Sequence, residues 1–301
     1  MTTVLQMVNR VRRQLDSGHR NEYNRLDAAI NSSTQSVVLE FTPNANVEVG
    51  DIFNVDLEVM RVVAYNSGTR TATVVRGYLD STAASHADEA ELLINPRFSM
   101  LDAFTALVDE INSWGPQLYR VVSDEFTVAA GTDVLELPAA WINAYGLVGV
   151  YRRWDDDSQD ANYSWPRLDV RLQRATTDWS VAAPNSGLLL RFVEGVAAGT
   201  VLVVAALPFA ASAATTSTDL ETGLYVPTEY LDFLALGAKL RLVQDGEWGR
   251  LARDQQDDSR RSEETPVGSG VSGMNFGWAT YRNRREEEIN KLYARHPIRT
   301  R

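Results

Sequence analysis

The chain has 301 residues, 44% of them hydrophobic and 23% charged, which is enough apolar material for one large core or two modest ones. A formal charge of −11 argues against a protein that grips nucleic acid, because neutralising phosphates takes clustered Lys and Arg. The lack of cysteine removes disulfides, thiolate nucleophiles and cysteine-based zinc sites together, and no uninterrupted apolar run is long enough to span a membrane.

Val4, Val8, Val11 and Leu15 recur at helical spacing and predict a first amphipathic helix. Three arginines, Arg10, Arg12 and Arg13, lie inside it, where a secretory leader would carry an unbroken apolar stretch. A second short helix is predicted over residues 19–30, with Leu26 and Ile30 four apart, so residues 1–35 read as a helical hairpin broken at Ser17-Gly18. From Ser36 the pattern changes to short β-type runs at 37–41, 51–55, 58–65, 71–75 and 90–94. Asn66-Ser67-Gly68 supplies a hairpin turn between two of them. Residues 36–97 are therefore expected to form a small barrel-like insertion.

Ser99 followed by Asp102 predicts a capped helix with Leu101, Phe104, Val108 and Ile111 as its stripe, ending at Gly115-Pro116, so that 98–117 is a core helix. A second β block follows over 118–210. Its strands are expected at 121–128, 134–137, 147–153, 168–172, 188–193 and 201–206, unevenly spaced as in an antiparallel sandwich. Helix resumes near Pro227-Thr228 with Leu231, Leu234, Ala238 and Leu242 on one side, continuing into a charged helical stretch over 247–264. Residues 211–265 read as C-terminal core helices. Residues 265–273 are expected as a loop and 278–295 as a last helix, giving a docking arm over 266–301. The fold class is α+β: a discontinuous helical bundle carrying a β-barrel-like insertion and a β-sandwich-like middle block.

Residues that carry chemistry are few. Gly268 to Gly273 matches G-x-G-x-x-G by letter, but lies in the expected loop without the strand–turn–helix context a dinucleotide requires. His19, His86 and His296 are far apart and have no metal-ligand spacing. Asp155-Asp156-Asp157 lacks the alternation of a calcium loop and reads as a hairpin tip. No hydrolase or P-loop signature occurs, so neither an enzyme nor a cofactor or metal site is expected. Trp141, Trp154, Trp165 and Trp179 are expected to pack the sandwich, with sugar stacking as the alternative.

Positive charge is nearly all arginine, Lys239 and Lys291 being the only lysines, which reads as coding bias first and as arginine–carboxylate pairing between surfaces second. Arg282, Arg284 and Arg285 precede Glu286, Glu287 and Glu288. Within one helix they can pair three or four apart, or the two blocks can pair with a neighbouring molecule. Arg282, Arg284, Arg285, Glu286, Glu287, Tyr293 and Arg295 are the interface candidates.

Glu58-Val-Met-Arg-Val-Val, followed by Thr73-Val-Val-Arg-Gly-Tyr-Leu-Asp-Ser-Thr-Ala-Ala-Ser-His86, resembles a segment of tailed-phage virion proteins. There a D/E-x-M-x-V strand precedes a V-x-R-G-x-x-G-T-x-A-x-x-H turn. Arg76-Gly77, Thr82-Ala83 and His86 are kept, and Asp80 stands where glycine is common. The order of elements is similar to that of head-to-tail connector proteins, although the 36–97 insertion departs from the smallest all-helical adaptors. The resemblance implies a structural virion protein assembled in the bacterial cytoplasm: a homo-oligomeric ring, typically of twelve copies, between the portal and a tail or neck protein. It implies only transient contact with the double-stranded DNA passing through, and no membrane. A tail, collar or baseplate component is the alternative, and a carbohydrate-binding or hydrolase module a more distant one.

Overall fold

The computed structural model describes residues 2–15, 22–44, 46–152, 166–174, 187–254 and 269–298, with the backbone alone over 245–254 and 269–273. The chain divides into two compact units, Met1–Ile111 with Ala211–Arg282, and Asn112–Ala210 with Asn283–Arg301. The fold is α+β.

In the first unit, helix α1 (Val4–Leu15) buries Val4, Met7, Val8 and Val11. It opens on a reciprocal cap: the Gln6 N–H donates to Thr3 Oγ1 (3.2 Å) and the Thr3 N–H to Gln6 Oε1 (3.1 Å). Helix α2 (Met100–Asn112) opens on the predicted Ser99–Asp102 pair, where the Asp102 N–H donates to Ser99 Oγ (3.0 Å) and the Ser99 N–H to Asp102 Oδ2 (3.2 Å). Its buried face is turned from the expected stripe. Ala103, Leu107, Glu110 and Ile111 are covered, while Leu101, Phe104 and Val108 are half-buried. Helix α3 (Leu231–Asp254) buries Leu231, Leu234, Ala238 and Leu242 as its spacing predicts, and packs against α1. The bundle is thus assembled from segments distant in sequence.

The β part of this unit is one six-stranded antiparallel sheet. Its strands are β1 (Glu22–Arg25), β2 (Ser36–Val38), β3 (Ile52–Val55), β4 (Glu58–Asn66), β5 (Thr71–Val75) and β6 (Glu91–Ile94), in the order β1-β6-β3-β4-β5-β2. Alternate residues point into one apolar core of Leu26, Val37, Leu39, Phe53, Val55, Met60, Val62, Ala72, Val74 and Leu92. The sheet curls until its two outer strands meet. Leu26 bridges Leu39, the Asp27 N–H donates to the Val38 carbonyl and the Glu40 N–H to the Arg25 carbonyl, both at 2.9 Å.

The expected second helix over 19–30 is therefore corrected. Residues 22–25 are strand, paired residue for residue with Glu91–Ile94. Leu26 and Ile30, four apart, are buried in the barrel rather than on a helix, because long-range pairing outweighs a weak local pattern. The barrel accordingly begins near residue 22, not 36.

In the second unit, β7 (Arg120–Val128), β12 (Gly199–Leu207) and β9 (Gly146–Arg152) form one three-stranded antiparallel sheet. β10 (Val170–Arg174), β11 (Leu188–Val196) and β8 (Thr132–Glu136) form another. Both contribute to one dry core that includes Val128, Leu137, Trp141, Val150, Leu188, Leu190, Phe192, Val201 and Val203. This matches the predicted sandwich-like block nearly strand for strand.

Helix α4 runs Ser269–Arg295, so the glycine-rich stretch expected as a loop is helical from Ser269. Nor is the segment held away from its own chain. Tyr281 is 3% exposed in the first unit. In the second, Tyr119 donates its hydroxyl to the His296 carbonyl and meets Tyr293 edge-on at 6.0 Å. The aromatic residues of the segment, not only its charges, set where it lies.

Candidate functional site

The motif-like segment converges on one buried polar cluster in the barrel. The β3–β4 turn carries Asp56 at φ 51° and delivers Glu58 to the first position of β4. The Asn54 side chain locks that turn, donating to the carbonyls of Asp56 (3.1 Å) and Glu58 (2.8 Å) while accepting from the Met100 N–H (2.9 Å) at the start of α2. The antiparallel register of β4 with β5 pairs Arg61 with Val75 and so brings Arg76, the next residue, back toward Glu58.

Arg76 grips Glu58 through two parallel hydrogen bonds, Nε to Oε1 at 2.6 Å and Nη2 to Oε2 at 2.7 Å. Its remaining donors reach the carbonyls of Asn31 (2.7 Å), Thr34 (2.7 Å) and Ala84 (2.6 Å). Glu58 also accepts from the backbone N–H groups of Gly77 (3.2 Å) and Ala84 (3.0 Å). His86 completes the clasp, with Nε2 2.9 Å from Glu58 Oε2 and Nδ1 3.0 Å from Asp56 Oδ2. The Glu58 side chain is wholly buried, and those of Arg76 and His86 nearly so.

Burial works to raise the Glu58 pKa. The Arg76 hydrogen bonds, the Ala84 N–H, His86 and the Arg76 charge outweigh it and bring the carboxyl from 4.5 down to about 2. Burial likewise works to lower His86, and hydrogen bonds and charge from Asp56 and Glu58 reverse that, raising it above its ordinary value. An acid held at about 2 is a poor proton acceptor near neutrality. With a carboxylate within hydrogen-bond distance of each ring nitrogen, both nitrogens of His86 are engaged inside the cluster. The cluster's chemistry is that of a fastener.

What it fastens is the loop over residues 76–86. Gly77 sits at φ 63°, and a Cβ there would lie 3.1 Å from the Ser81 carbonyl oxygen. Leu79 (φ 53°) and Asp80 (φ 60°) are also left-handed. This accounts for the departure at Asp80: the position demands the conformation that glycine adopts freely and that aspartate tolerates better than most residues. The hydroxyl that ties the loop is Ser81, not Thr82. Ser81 Oγ accepts from the Val59 N–H (3.0 Å) and contacts the carbonyls of Val59 (3.1 Å) and Tyr78 (2.8 Å), whereas Thr82 is exposed.

A second buried carboxylate lies outside the residues singled out from the sequence. Glu110, on the covered face of α2, pairs with Arg241 of α3 (2.7 Å) and accepts the Tyr281 hydroxyl from α4. Gly237 makes this possible, since a Cβ there would stand 2.5 Å from the Glu110 carboxyl carbon. A glycine within an otherwise apolar helical stripe was the available signal.

The interface candidates divide. Arg284 pairs with Glu287 (2.7 Å) and Glu288 (2.8 Å), and Lys291 closes on the same two carboxylates. Arg285 donates to the Ser113 carbonyl (3.1 Å), and Tyr293 lies against Tyr119. Arg282, Glu286 and Arg295 remain exposed. Trp141 is 3% exposed and edge-on to Phe126, so it packs the core and presents no face to a sugar. Trp154, Trp165, Trp179, Asp155-Asp156-Asp157 and His19 lie outside the described residues. Gly270 and Gly273 are inside α4, not in the turn before a helix that a dinucleotide fingerprint needs.

Among the described residues no group of three or more His, Asp or Glu side chains is arranged to hold a metal ion, and no helix is long and apolar enough to cross a membrane. The chain matches no family model, and no curated protein matches it by sequence.

Proposed function

We propose that the protein is a structural component of a tailed-phage virion, a ring-forming adaptor that joins the portal of the head to the tail and leaves a passage for DNA. The observation that carries this reading is the clasp. Of the residues on which the resemblance rests, Glu58, Arg76, Gly77 and His86 hold one surface loop in one shape, while Thr82 is exposed on it. That is the requirement of a part whose surface must be identical in every copy. A site that turns over substrate would instead keep a proton acceptor or nucleophile available.

Charge bears on the passage. A duplex carries about one negative charge per 1.7 Å, so a bore lined by arginine would hold it. With −11 per copy, the ring's inner surface is expected to carry at least as many carboxylates as arginines, and DNA would slide past it.

The decisive experiment is native mass measurement and electron microscopy of the purified protein, alone and mixed with portal-bearing heads. Closed rings, or capture by the portal vertex, are expected. A protein that stays monomeric at every concentration and ignores the portal would end this reading. A continuous arginine belt contacting phosphates would replace a sliding channel with a gripping one.

A further inference from the structure

Arg12 is the one buried cation whose charge the fold leaves unanswered among the described residues. It projects from the last turn of α1, is only 6% exposed, and its Nε has no hydrogen-bond partner. No carboxylate among the described residues pairs with it, although Arg76 and Arg241, the cations at the two clusters above, each grip a buried glutamate. Burying a guanidinium nitrogen without a partner is costly, and an anion that reaches the group offsets that cost.

A cleft of about 420 Å³ opens beside it, between α1 and the barrel wall. Arg13, Asn9 and Gln6 share the helical side with Arg12, while Asn54, Asp56 and Glu91 stand on the barrel side. Cationic and amide groups face an acidic rim across a space large enough for a small organic group.

We infer that this cleft is a carboxylate-binding site, in which the Arg12 guanidinium takes a single carboxylate as its missing counter-ion. The opposite wall narrows the class. Asp56 and Glu91 would repel a phosphate or a tricarboxylate, so the ligand is a monoanionic carboxylate with a neutral or cationic remainder. Two sources share that chemistry: a free small carboxylate, and the side chain of an Asp or Glu on another copy of this acidic chain. The inference stands on the cleft and on Arg12, not on the adaptor reading.

The test uses the full chain and its Arg12→Met variant, a change that keeps a flexible unbranched stem and removes the charge. Sodium acetate, against sodium chloride at equal ionic strength, is expected to raise the melting temperature of the parent saturably. The rise should be roughly 3 °C at ten times the half-saturating concentration. Arg12→Met is expected to fold, to melt no lower than the parent in chloride, and to lose the acetate response. Phosphate should give less than acetate. Sedimentation at rising protein concentration separates the sources. Self-association that weakens in acetate and in Arg12→Met supports a carboxylate from a second copy. Association indifferent to both, with the acetate response intact, supports a free ligand. An acetate effect no larger than that of chloride, or one that Arg12→Met retains, overturns the inference. Rings that form regardless of Arg12 would sink only the second-copy source and leave the adaptor reading standing.

Discussion

The chain contains two β assemblies of comparable size that are held together by different physics. The barrel over residues 22–94 buries Asn24, Asn54, Glu58 and His86 among its apolar side chains and is fastened by charge. The sandwich over residues 120–207 has none of the buried polar or charged residues among its described positions, and its core is apolar, chiefly Leu, Val, Ala, Phe and Trp. A dry core tolerates exchange of one apolar side chain for another of similar volume, and fixes shape only in aggregate. A buried, fully satisfied ionic cluster tolerates almost nothing, and in exchange fixes one loop in one geometry. The difference separates a part built for bulk stability from a part built for a defined surface.

Removing Arg76 should break the contrast most severely. Arg76→Met leaves the Glu58 charge buried without its partner and is expected to cost about 3–5 kcal/mol in urea unfolding. Leu190→Ala in the sandwich should cost about 2–5 kcal/mol, so the two can match in size and differ in kind. The cost of Leu190→Ala should be the same at every pH, whereas that of Arg76→Met should shrink in acid.

Titration sharpens the point. Glu58 is depressed on folding, so its contribution is present above the unfolded value of 4.5 and is lost as pH falls through about 2. This is worth about 3 kcal/mol. His86 is raised, so its contribution is complete below 6.5 and is lost as pH rises through its folded value. The clasp is therefore strongest between about 4.5 and 6.5. Unfolding followed against pH should show that maximum in the parent and a flattened acid limb in Glu58→Gln. An identical acid limb in both would remove the clasp from the account.

Two backbone substitutions give the smaller effects. Gly77→Ala forces a side chain into a left-handed position beside the Ser81 carbonyl and should cost about 1–2 kcal/mol. Asp80→Gly relieves the same kind of strain one turn on, and should change stability by under about 1 kcal/mol while leaving the pH profile untouched.

How legible these regions were in the sequence follows from the same distinction. Alternating apolar strands announce themselves, so all six strands of the sandwich and five of the barrel's six were readable to within a few residues. Strand β1, Glu-Tyr-Asn-Arg, carries no alternation, and only its pairing with Glu91–Ile94 makes it a strand. Glu58, Arg76 and His86 could be seen as a pattern but not as a cluster, because the register of β4 on β5, not sequence spacing, brings them together. Glu110 lies off the stripe of Leu101, Phe104, Val108 and Ile111 that the sequence offers for its helix. Its burial depends on Gly237 across the bundle, and no local window contains both.

The closure of the barrel has a consequence for how copies of this protein can meet. An open sheet offers a ladder of unpaired backbone groups, and a neighbour can extend it strand by strand. Here that ladder is taken up internally. Residues 25–27 and 38–40 stitch to each other, the Asn24 amide bonds both the N–H and the carbonyl of Phe41, and Glu22 accepts the Asn44 N–H. With its seam sealed, the barrel cannot recruit a neighbour through β-augmentation or swap an edge into it. Contacts that copies make across this seam are therefore left to side chains, which makes their order a matter of surface chemistry.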